Sequence, residues 1–543
     1  MARVTDDPPS AARAGGTTLA SPWSPIGVAA STTGPRHALA APLVAGGIAA
    51  AAGLALLLGP ASGTDLAAQQ ARAAFASAHP GAAVDFRWFG GVLPAAYSVV
   101  APYVEAVVGV RLTGVLAAVV GAVLLGRLLT RWAVRRPVWA AAWGALALAA
   151  NLVSGRTAFA LGMTLAIGAL VAVPARDRPW WRWSGAVALA ALTTLTSPVA
   201  ALFLGLIALA WAVVRRPVVV LGVAAAVVMA ALALLFPEPG RMPDTWAVAR
   251  PVILACCAVV VLGRGLPVRL AAGVYAAGAA VVFAWPGPIG SNVERLALLF
   301  TGLVLLATSW LPRVLLVIAV LVAGQWTARV PLHDMQTSHR LAVERAASQR
   351  LVQILAAIGS PQGRIEVVPF ADHGEASVVA AAWPLARGWE RQVDVLRAAP
   401  VYSRGLTAGR FRAWLDANDV QLVALGHHAH DWAAAAELKE LQNPPPWLQM
   451  VHEDPEWTVW QVQGFEPVVP RPAVDVSLMP DRITFSAPAP GVYPVRVHWS
   501  RWLTVSAGAC LRRDAEGVAA VVRRAGAVTV SSSYLAPFTG RHC

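Results

Sequence analysis

The chain is organised around residues 61–98, which begin Ala61-Ser-Gly-Thr-Asp65 and run through Asp85-Phe-Arg87-Trp-Phe-Gly-Gly91 to Tyr97-Ser98. This segment is a polar interruption between two apolar runs, and Leu66–Ala78 within it predicts a short helix. Asp65 directly follows the first apolar run. A carboxylate at a membrane surface is costly to desolvate, which makes Asp65 a candidate functional residue. A solvated loop in which Asp65 begins a helix explains the same residues, so the spacing alone leaves both interpretations open.

The composition is that of a polytopic membrane protein. Hydrophobic residues make up 57% of the chain and charged residues only 13%, and the mean hydropathy is +0.59. Soluble domains of this size do not have such a balance, and several apolar runs approach the length of a bilayer crossing. Nearly all of the positive charge is arginine, since Lys439 is the only lysine. We therefore ask first whether membrane topology explains the net charge of +14, before considering nucleic-acid binding.

The arginines flank the apolar runs on one side. The first run is about Ala38–Leu58, ten more follow, and the pattern predicts about eleven spans in an α-helical membrane domain over residues 37–329. Residues 1–36 predict a disordered cytoplasmic tail without a cleaved signal peptide. The carboxyl-terminal third is then extracytoplasmic, in a plasma-membrane protein. The arginines on the predicted cytoplasmic side are Arg36, Arg127, Arg131, Arg135, Arg136, Arg176, Arg178, Arg182, Arg215, Arg216, Arg264, Arg269 and Arg313.

The residues after about 330 have the pattern of soluble domains. Alternating strands and helices predict an extracytoplasmic α/β domain over residues 330–470. Its predicted elements are a helix at Ser338–Ile358, strands at Arg364–Pro369 and Val420–Leu425, a helix at Asp431–Leu441 and a strand at Trp457–Val462. Short β segments separated by turn residues predict a β-sandwich-like module over residues 471–543. Those segments are Arg482–Ser486, Val492–His498, Leu503–Ser506, Val518–Val522 and Val528–Ser532.

The four cysteines divide by compartment. Cys256 and Cys257 lie in an apolar run and are expected to be inert. Cys510 and Cys543 lie in the β module, on the predicted outer side, where disulfides persist. We expect these two to form a disulfide that fastens the carboxyl terminus to the module.

Several kinds of chemistry lack support in the sequence. It has no Gly-rich phosphate loop and no dinucleotide fingerprint, so an ATP-driven pump is unsupported. The run Gly426-His-His-Ala-His430-Asp431 resembles a metal site, but its place between a strand and a helix favours a solvated loop, and no metal site is predicted. Few ionisable residues lie inside the apolar runs, which lowers the case for an ion-coupled carrier.

Polar residues instead gather at the predicted outer ends of the spans. A carboxylate in a cleft there can take a proton from a sugar hydroxyl. A nearby arginine can hold a phosphate through paired hydrogen bonds. Taken one at a time, each residue is also explained by a local cap or an interfacial charge. The residues are Asp65, Asp85, Arg87, Arg156, Asp244, Asn292, Glu294 and Arg295.

The architecture resembles that of GT-C membrane glycosyltransferases, which carry a first outer loop with an Asp just past the first span, many spans and an outer carboxyl-terminal domain. Five motifs also resemble a large actinobacterial family of integral membrane proteins, some of whose members are labelled as transporters. The resemblance covers most of residues 60–543. Its motifs are Asp85–Ser98, Gly290–Leu296, Leu385–Asp394, Val497–Trp502 and Ala507–Cys510.

The resemblance to GT-C enzymes implies transfer of a sugar from a polyprenyl-phosphate donor to a cell-envelope glycan or lipid. It implies Asp65 as the general base, with Asp85 orienting the acceptor or sharing a divalent cation with Asp65. Many GT-C enzymes have paired acidic residues in the first loop, whereas Leu66 follows Asp65 here, so an acidic pair requires Asp65 and Asp85 to meet in space. The substrate-binding residues implied are Arg87, Arg156, Asn292, Glu294, Arg295, Arg387, Trp389, Glu390 and Arg391. A transporter or flippase of lipid-linked saccharides, or a glycan-binding scaffold without catalysis, remains the alternative.

Overall fold

The structure is a computed structural model that describes residues 35–174, 179–242, 244–515, 517–539 and 541–543. Most of the predicted disordered tail, and Arg176 and Arg178, lie outside these residues. The amino-terminal part is helical throughout. Its helices are α1 (Pro35–Leu58), α2 (Asp65–Ala78), α3 (Pro94–Tyr97), α4 (Ala101–Val108), α5 (Val110–Arg131), α6 (Pro137–Val153), α7 (Thr157–Ala172), α8 (Ser184–Thr196), α9 (Pro198–Ala212), α10 (Val219–Leu235), α11 (Trp246–Leu262), α12 (Leu266–Ala284), α13 (Glu294–Thr308) and α14 (Arg313–Gln336).

The long apolar helices make this chain a membrane protein. Among the described residues, six segments are long and apolar enough to cross a bilayer. They are Leu39–Leu58, Val110–Arg131, Arg216–Leu235, Leu266–Ala284, Gly290–Thr308 and Arg313–Gln336. Helices α6, α7, α9 and α11 are shorter apolar helices of 10–17 residues. The total of eleven spans therefore stays a prediction.

The two ends of the bundle differ in charge. Arg131, at the end of α5, donates to the carbonyl of Val171 in the last turn of α7 (2.5 Å) and to that of Val173 just after it (2.7 Å). Arg135 donates to the carbonyl of Ser309 beyond α13 (2.9 Å). The starts of α7 and α13 lie at the opposite end, together with segment 61–98. These arginines therefore gather at the end away from that segment, as the positive-inside rule expects of a cytoplasmic face. The orientation itself stays a prediction.

The α/β part, which together with the β-sandwich forms the predicted outer part, follows α14. It contains α15 (Ser338–Ile358), β1 (Arg364–Val367), α16 (Gly374–Ala382), α17 (Arg391–Arg397), α18 (Ala408–Ala417), β2 (Val420–Gly426), α19 (Ala435–Leu441), β3 (Leu448–Glu453) and β4 (Trp457–Val462). The strands form one sheet in the order β1-β2-β4-β3. β1 is parallel to β2, and the other pairs are antiparallel. The predicted helix at 338–358 and the predicted strands near 364, 420 and 457 are confirmed.

The last part is a β-sandwich. Its strands are β5 (Val474–Leu478), β6 (Arg482–Ala487), β7 (Gly491–Val495), β8 (Leu503–Val505), β9 (Ala509–Asp514), β10 (Gly517–Val522) and β11 (Gly526–Ser532). They form two sheets, β7-β10-β9 and β5-β6-β11-β8, whose inner faces share one apolar core. The five predicted β segments correspond to β6, β7, β8, β10 and β11. β5 and β9 were not predicted. Cys510 and Cys543 form a disulfide with Cα atoms 5.3 Å apart.

Segment 61–98 contacts all three parts of the chain. Its helix α2 packs against α4 and against α16 of the α/β part. Ala83, Val84 and Phe86 join the core of the sandwich, while Trp88 and Phe89 join that of the α/β part. Burial of these aromatic side chains, about 1.5–3 kcal/mol each, holds both outer units on the bundle.

Candidate functional site

A cavity of about 1080 Å³ lies where the outer part meets the bundle. Its size suits a ligand larger than a typical small molecule. Residues from segment 61–98, from the starts of α7 and α13, and from the loop before α17 line it. The predicted site residues among them are Asp65, Arg156, Asn292, Glu294, Arg295, Trp389, Glu390 and Arg391.

The floor of the cavity is a carboxylate held by two arginines. Arg156 Nε lies 3.1 Å from Asp65 Oδ2, and Arg295 Nη2 lies 3.5 Å from the same oxygen. The Asp65 side chain keeps 30% of its surface exposed. Two guanidinium groups face one carboxylate oxygen at this point, and the Glu294 carboxylate also lies near enough to interact with both arginines. An anion entering the cavity would therefore find donors suited to phosphate.

Two glycines let the loops of the floor meet. Gly63 and Gly155 have φ angles of +90° and +75°, a region that side chains disfavour. A Cβ on Gly63 would lie 2.2 Å from the carbonyl carbon of Ser154, and one on Gly155 would lie 2.4 Å from the nitrogen of Leu66. The absence of side chains at both positions thus allows Asp65 to reach Arg156.

One face of α2 forms a wall that the sequence analysis did not single out. Asp65, Gln69 and Arg72 all line the cavity, at the i, i+4, i+7 spacing of one helix face. Arg72 donates to Glu390 Oε2 (2.9 Å) and lies 3.7 Å from the centre of the Tyr97 ring. Helical periodicity in Leu66–Ala78 was the signal that could have identified Arg72.

An apolar stripe continues the cavity along two membrane helices. It consists of Val199 and Leu202 on α9, with Met229, Leu232, Ala233 and Phe236 on or just after α10. The α10 residues repeat at i, i+3, i+4 and i+7, so they form one face of that helix. The segment Arg216–Leu235 is only 17% buried within the protein, which leaves α10 available to lipid. The cavity thus joins a charged floor to an apolar side.

The roof comes from the outer part. Trp389 Nε1 donates to the carbonyl of Thr64 (2.7 Å), the residue before Asp65. The Trp389 ring stacks on His373 with ring centres 3.6 Å apart. His373 Nδ1 lies 3.3 Å from Glu375 and Nε2 lies 3.4 Å from Asp431. Burial alone would lower the pKa of His373, but the Asp431 and Glu375 carboxylates raise it to about 9.

The rim of the roof has a second, exposed tryptophan. Trp432 is 67% exposed and lines the cavity. Arg391 lies between the two indoles, 4.8 Å from the Trp389 ring and 5.0 Å from the Trp432 ring. Arg391 also donates to Asp431 (2.8 Å). This rim offers an aromatic face and charged hydrogen-bonding groups side by side. Trp432, which follows the histidine-rich loop, was not predicted as a site residue.

Three predicted site residues lie outside the cavity. Asp85 and Arg87 form a buried, bidentate pair with contacts of 2.7–3.1 Å. Arg87 also donates to the carbonyl of Ala71 (2.9 Å), so the pair joins its loop to α2. Arg387 is 3% exposed and pairs with Asp394 and Glu437 (2.7 Å each). The geometry gives these three residues structural contacts and no access to the large cavity.

The contacts of Arg387 predict a loss of folding rather than a selective loss of activity. Arg387→Met would leave Asp394, Glu437 and the nearby Glu366 (3.8 Å) as buried carboxylates without their cation. Breaking a buried pair in this way costs about 3–5 kcal/mol. We expect aggregated protein or a strongly lowered unfolding temperature, measured by thermal unfolding and gel filtration. Arg412→Met, which removes an arginine from the solvent-accessible pair with Asp416 (2.8 Å), is the matched variant and is expected to stay folded. A stable Arg387→Met protein would contradict this expectation.

The charge on His373 predicts a pH-dependent stability. Because its folded-state pKa is about 9 against an ordinary value of 6.5, its contribution is fully present below 6.5 and is lost as pH rises through about 9. The contribution is at most about 3 kcal/mol. His373→Asn is a suitable variant, since Asn tolerates the positive φ of 57° at this position. Denaturant unfolding between pH 6 and 10 should show a flatter profile for the variant.

Buried carboxylates near His373 contribute to the same pH range. Burial, with the nearby Glu375 charge, raises the pKa of Glu344 to about 8, which also makes the fold less stable as pH rises. Because the wild type and His373→Asn both contain Glu344, the difference between their profiles of stability against pH reports His373. Parallel profiles would mean that His373 is uncharged in the folded protein.

The residues do not fit the divalent cation that the GT-C resemblance allows. Asp65 faces two arginines, and Asp85 is committed to Arg87 away from the cavity. In the part of the chain that the structure describes, no group of three His, Cys, Asp or Glu side chains is placed to hold a metal ion. We therefore derive no chemical step through a metal.

Comparison with known proteins shows a weak structural likeness and no match in sequence. No family model and no curated protein match the chain. Among solved structures, it is similar to the cryo-electron microscopy structure of arabinofuranosyltransferase AftD from Mycobacteria, with a TM-score of 0.41 and 14% sequence identity over 80% of this chain. This chain spans 42% of that protein. At that TM-score the likeness carries no weight, and the function has to come from the site.

Proposed function

We propose that this protein is a membrane glycosyltransferase that moves a sugar from a polyprenyl-phosphate donor to a cell-envelope glycan or lipid, on the outer face of the plasma membrane. The observation that carries the proposal is the floor of the cavity, where Arg156 and Arg295 meet on one oxygen of Asp65. Two arginines whose forked donors meet at one point suit the phosphate of a lipid. A carboxylate at the same point suits the removal of a proton from a hydroxyl.

The apolar stripe supports a lipid donor. A polyprenyl chain needs a continuous apolar path from the membrane to its phosphate, and the α9 and α10 residues from Val199 to Phe236 provide one beside the charged floor. The phosphate would lie between Arg156 and Arg295, with the sugar directed toward the roof. The polar and aromatic rim around Trp389, Arg391 and Trp432 would receive the acceptor.

The reaction balances within these residues. The acceptor hydroxyl attacks the anomeric carbon, its oxygen forms the new glycosidic bond, and its proton passes to Asp65. The bond between the anomeric carbon and the phosphate oxygen breaks, and polyprenyl phosphate leaves with that electron pair. Negative charge grows on the leaving phosphate, where Arg156 and Arg295 stabilise it more strongly in the transition state than in the ground state.

Phosphate binding would also release the base. While Asp65 is paired with Arg156 and Arg295, its carboxylate oxygen is occupied by the two guanidinium groups. A donor phosphate competes for the same arginines, so its arrival frees the carboxylate as the sugar enters. In this scheme Asp65 fills the phosphate position when no donor is bound, and its carboxylate is released from the arginines only in the complex.

The test is donor cleavage by the purified protein in lipid nanodiscs. The probes are polyprenyl-phosphate sugars with a radiolabelled sugar, offered with an envelope glycan fraction as acceptor. We expect label to move to the glycan and polyprenyl phosphate to be released in equal amounts. Movement of intact lipid across proteoliposomes without cleavage would instead identify a transporter or flippase. Glycan binding without either process would identify a scaffold.

A further inference from the structure

The β-sandwich is attached to the end of a membrane helix. Trp502 Nε1 donates to the carbonyl of Leu235, the last residue of α10 (2.9 Å). The Trp502 ring stacks on Phe236, with ring centres 5.0 Å apart, and Tyr534 packs edge-on against Phe236 at 6.1 Å. Because α10 belongs to the most apolar candidate span, with a mean hydropathy of 2.9, this face of the sandwich lies where the span leaves the bilayer.

An exposed apolar tip follows Tyr534 directly. Residues 535–538 contain a short 3-10 turn, Ala536–Phe538. Leu535 is 66% exposed and Phe538 is 84% exposed, whereas Ala536 between them is buried. The turn therefore directs two large apolar side chains away from the protein. Large apolar side chains grouped at one point of a surface mark an interaction site.

Exposed arginines stand close to this tip. Arg501 is exposed and directly precedes Trp502. Arg541 is exposed, and its Nη1 donates to the carbonyl of Val505 on β8 (2.9 Å), the strand that follows Trp502. Apolar and aromatic side chains beside arginines are the combination that interfacial anchors use, with the apolar groups below the headgroups and the cations at the phosphates.

We infer that the tip 535–538 inserts into the lipid leaflet at this end of the bundle and anchors the sandwich to the membrane. Leu535 and Phe538 lie in the interfacial region, and Arg501 and Arg541 contact headgroup phosphates. The attachment of Trp502 to α10 favours lipid as the occupant, because it fixes the sandwich at membrane level. The inference does not depend on the proposed function. An anchored sandwich would also hold Trp502 and Tyr534 against Phe236, a residue that lines the cavity.

The test is the depth of a spin label in nanodiscs of phosphatidylcholine and phosphatidylglycerol. The full chain would carry Cys256→Ser and Cys257→Ser, with the Cys510–Cys543 disulfide kept, and a label at Phe538→Cys. Val474→Cys is the matched control. Val474 is 51% exposed on β5, at the sheet edge opposite β8, about 14 Å away by strand spacing. Collision rates with oxygen, which concentrates in lipid, and with a water-soluble nickel chelate report depth.

The label at Phe538→Cys is expected to collide more with oxygen than with the chelate, and the label at Val474→Cys is expected to do the reverse. Leu535→Cys should behave like Phe538→Cys and guards against a folding defect at one position. Equal access of the chelate to 538 and 474 would overturn the inference. Exclusion of both reagents from 538 would also overturn it, because another protein surface would then cover the tip.

Discussion

Asp65→Asn is expected to lower the turnover of sugar transfer by about 10²–10⁴-fold, the usual contribution of a general base. Asn keeps the shape of the side chain and can still accept a hydrogen bond from Arg156, but it cannot take the acceptor's proton. The fold should be unaffected, because the Asp65 side chain is 30% exposed and the variant leaves no buried carboxylate without a partner. Single-turnover transfer with a radiolabelled donor would measure the effect.

The affinity for the lipid donor, unlike turnover, should not fall in Asp65→Asn. The wild-type carboxylate competes with the donor phosphate for Arg156 and Arg295, and the variant removes that competitor. Affinity for polyprenyl phosphate is therefore expected to be unchanged or higher. A lowered turnover together with undiminished binding separates loss of a base from loss of a binding group.

Asp416→Asn is the matched control for this substitution. Asp416 pairs with Arg412 on the exposed face of α18, and its side chain is 48% exposed, so the change should leave transfer at the wild-type rate. Wild-type turnover in Asp65→Asn would make the base assignment wrong. Glu294, the other carboxylate near this floor, would then be the next residue to test, since it lines the same cavity.

The outline of the site could be predicted because hydropathy determines which loops share one end of a helical bundle. Asp65, Arg156 and Arg295 follow or precede apolar runs at the same predicted face. The structure brings a guanidinium nitrogen of each arginine within 3.1–3.5 Å of Asp65 Oδ2. The pairing itself could not be predicted. It depends on the close approach at Gly63 and Gly155, and a glycine in a loop does not reveal what it approaches.

Arg387 and Asp85 were predicted in the site but lie outside the cavity, because their partners cannot be read from local sequence. Arg387 and Arg391 lie in one motif, yet Arg387 is buried among carboxylates while Arg391 faces the cavity. Arg387 meets Glu366 on β1 and Glu437 on α19. Arg391 instead contacts Asp431 and Trp432, which precede α19. All of these partners are distant from the motif in sequence. Asp85 was predicted as a second acid that would meet Asp65 in space, but Arg87, two residues later, binds it. A local ion pair and a catalytic acid have the same sequence pattern, and burial distinguishes them.

The strands that were not predicted, β5 and β9, have a weaker hydrophobic pattern than those that were. The segments that became β6, β8 and β11 alternate apolar and polar residues, which is the pattern of a half-buried strand. β5 follows Pro472 closely and has Asp475 as its second residue, and β9 ends in Arg512-Arg513-Asp514. Both are edge strands of their sheets, where exposed polar residues cost little, so the hydrophobic signal is weak.

Arg295→Ala should weaken both donor binding and turnover, which distinguishes it from Asp65→Asn. A charge-assisted hydrogen bond contributes about 1.5–3 kcal/mol, so the dissociation constant for polyprenyl phosphate should rise by about 10–150-fold. Turnover should fall by a further 10²–10³-fold, roughly the effect of removing one group that stabilises developing negative charge. Arg156 remains in this variant and explains why binding is weakened rather than abolished.

The control for Arg295→Ala is Arg241→Ala. Arg241 is an exposed arginine of the neighbouring loop whose side chain does not line the cavity, so its loss changes net charge without touching the floor. Arg295→Lys is the informative intermediate, because it keeps the charge but loses the forked donor geometry that matches phosphate. We expect it to recover part of the binding and little of the turnover. If Arg295→Ala bound donor and turned over like Arg241→Ala, the two-arginine phosphate site would be wrong. The positive charge at the floor would then serve only to hold Asp65.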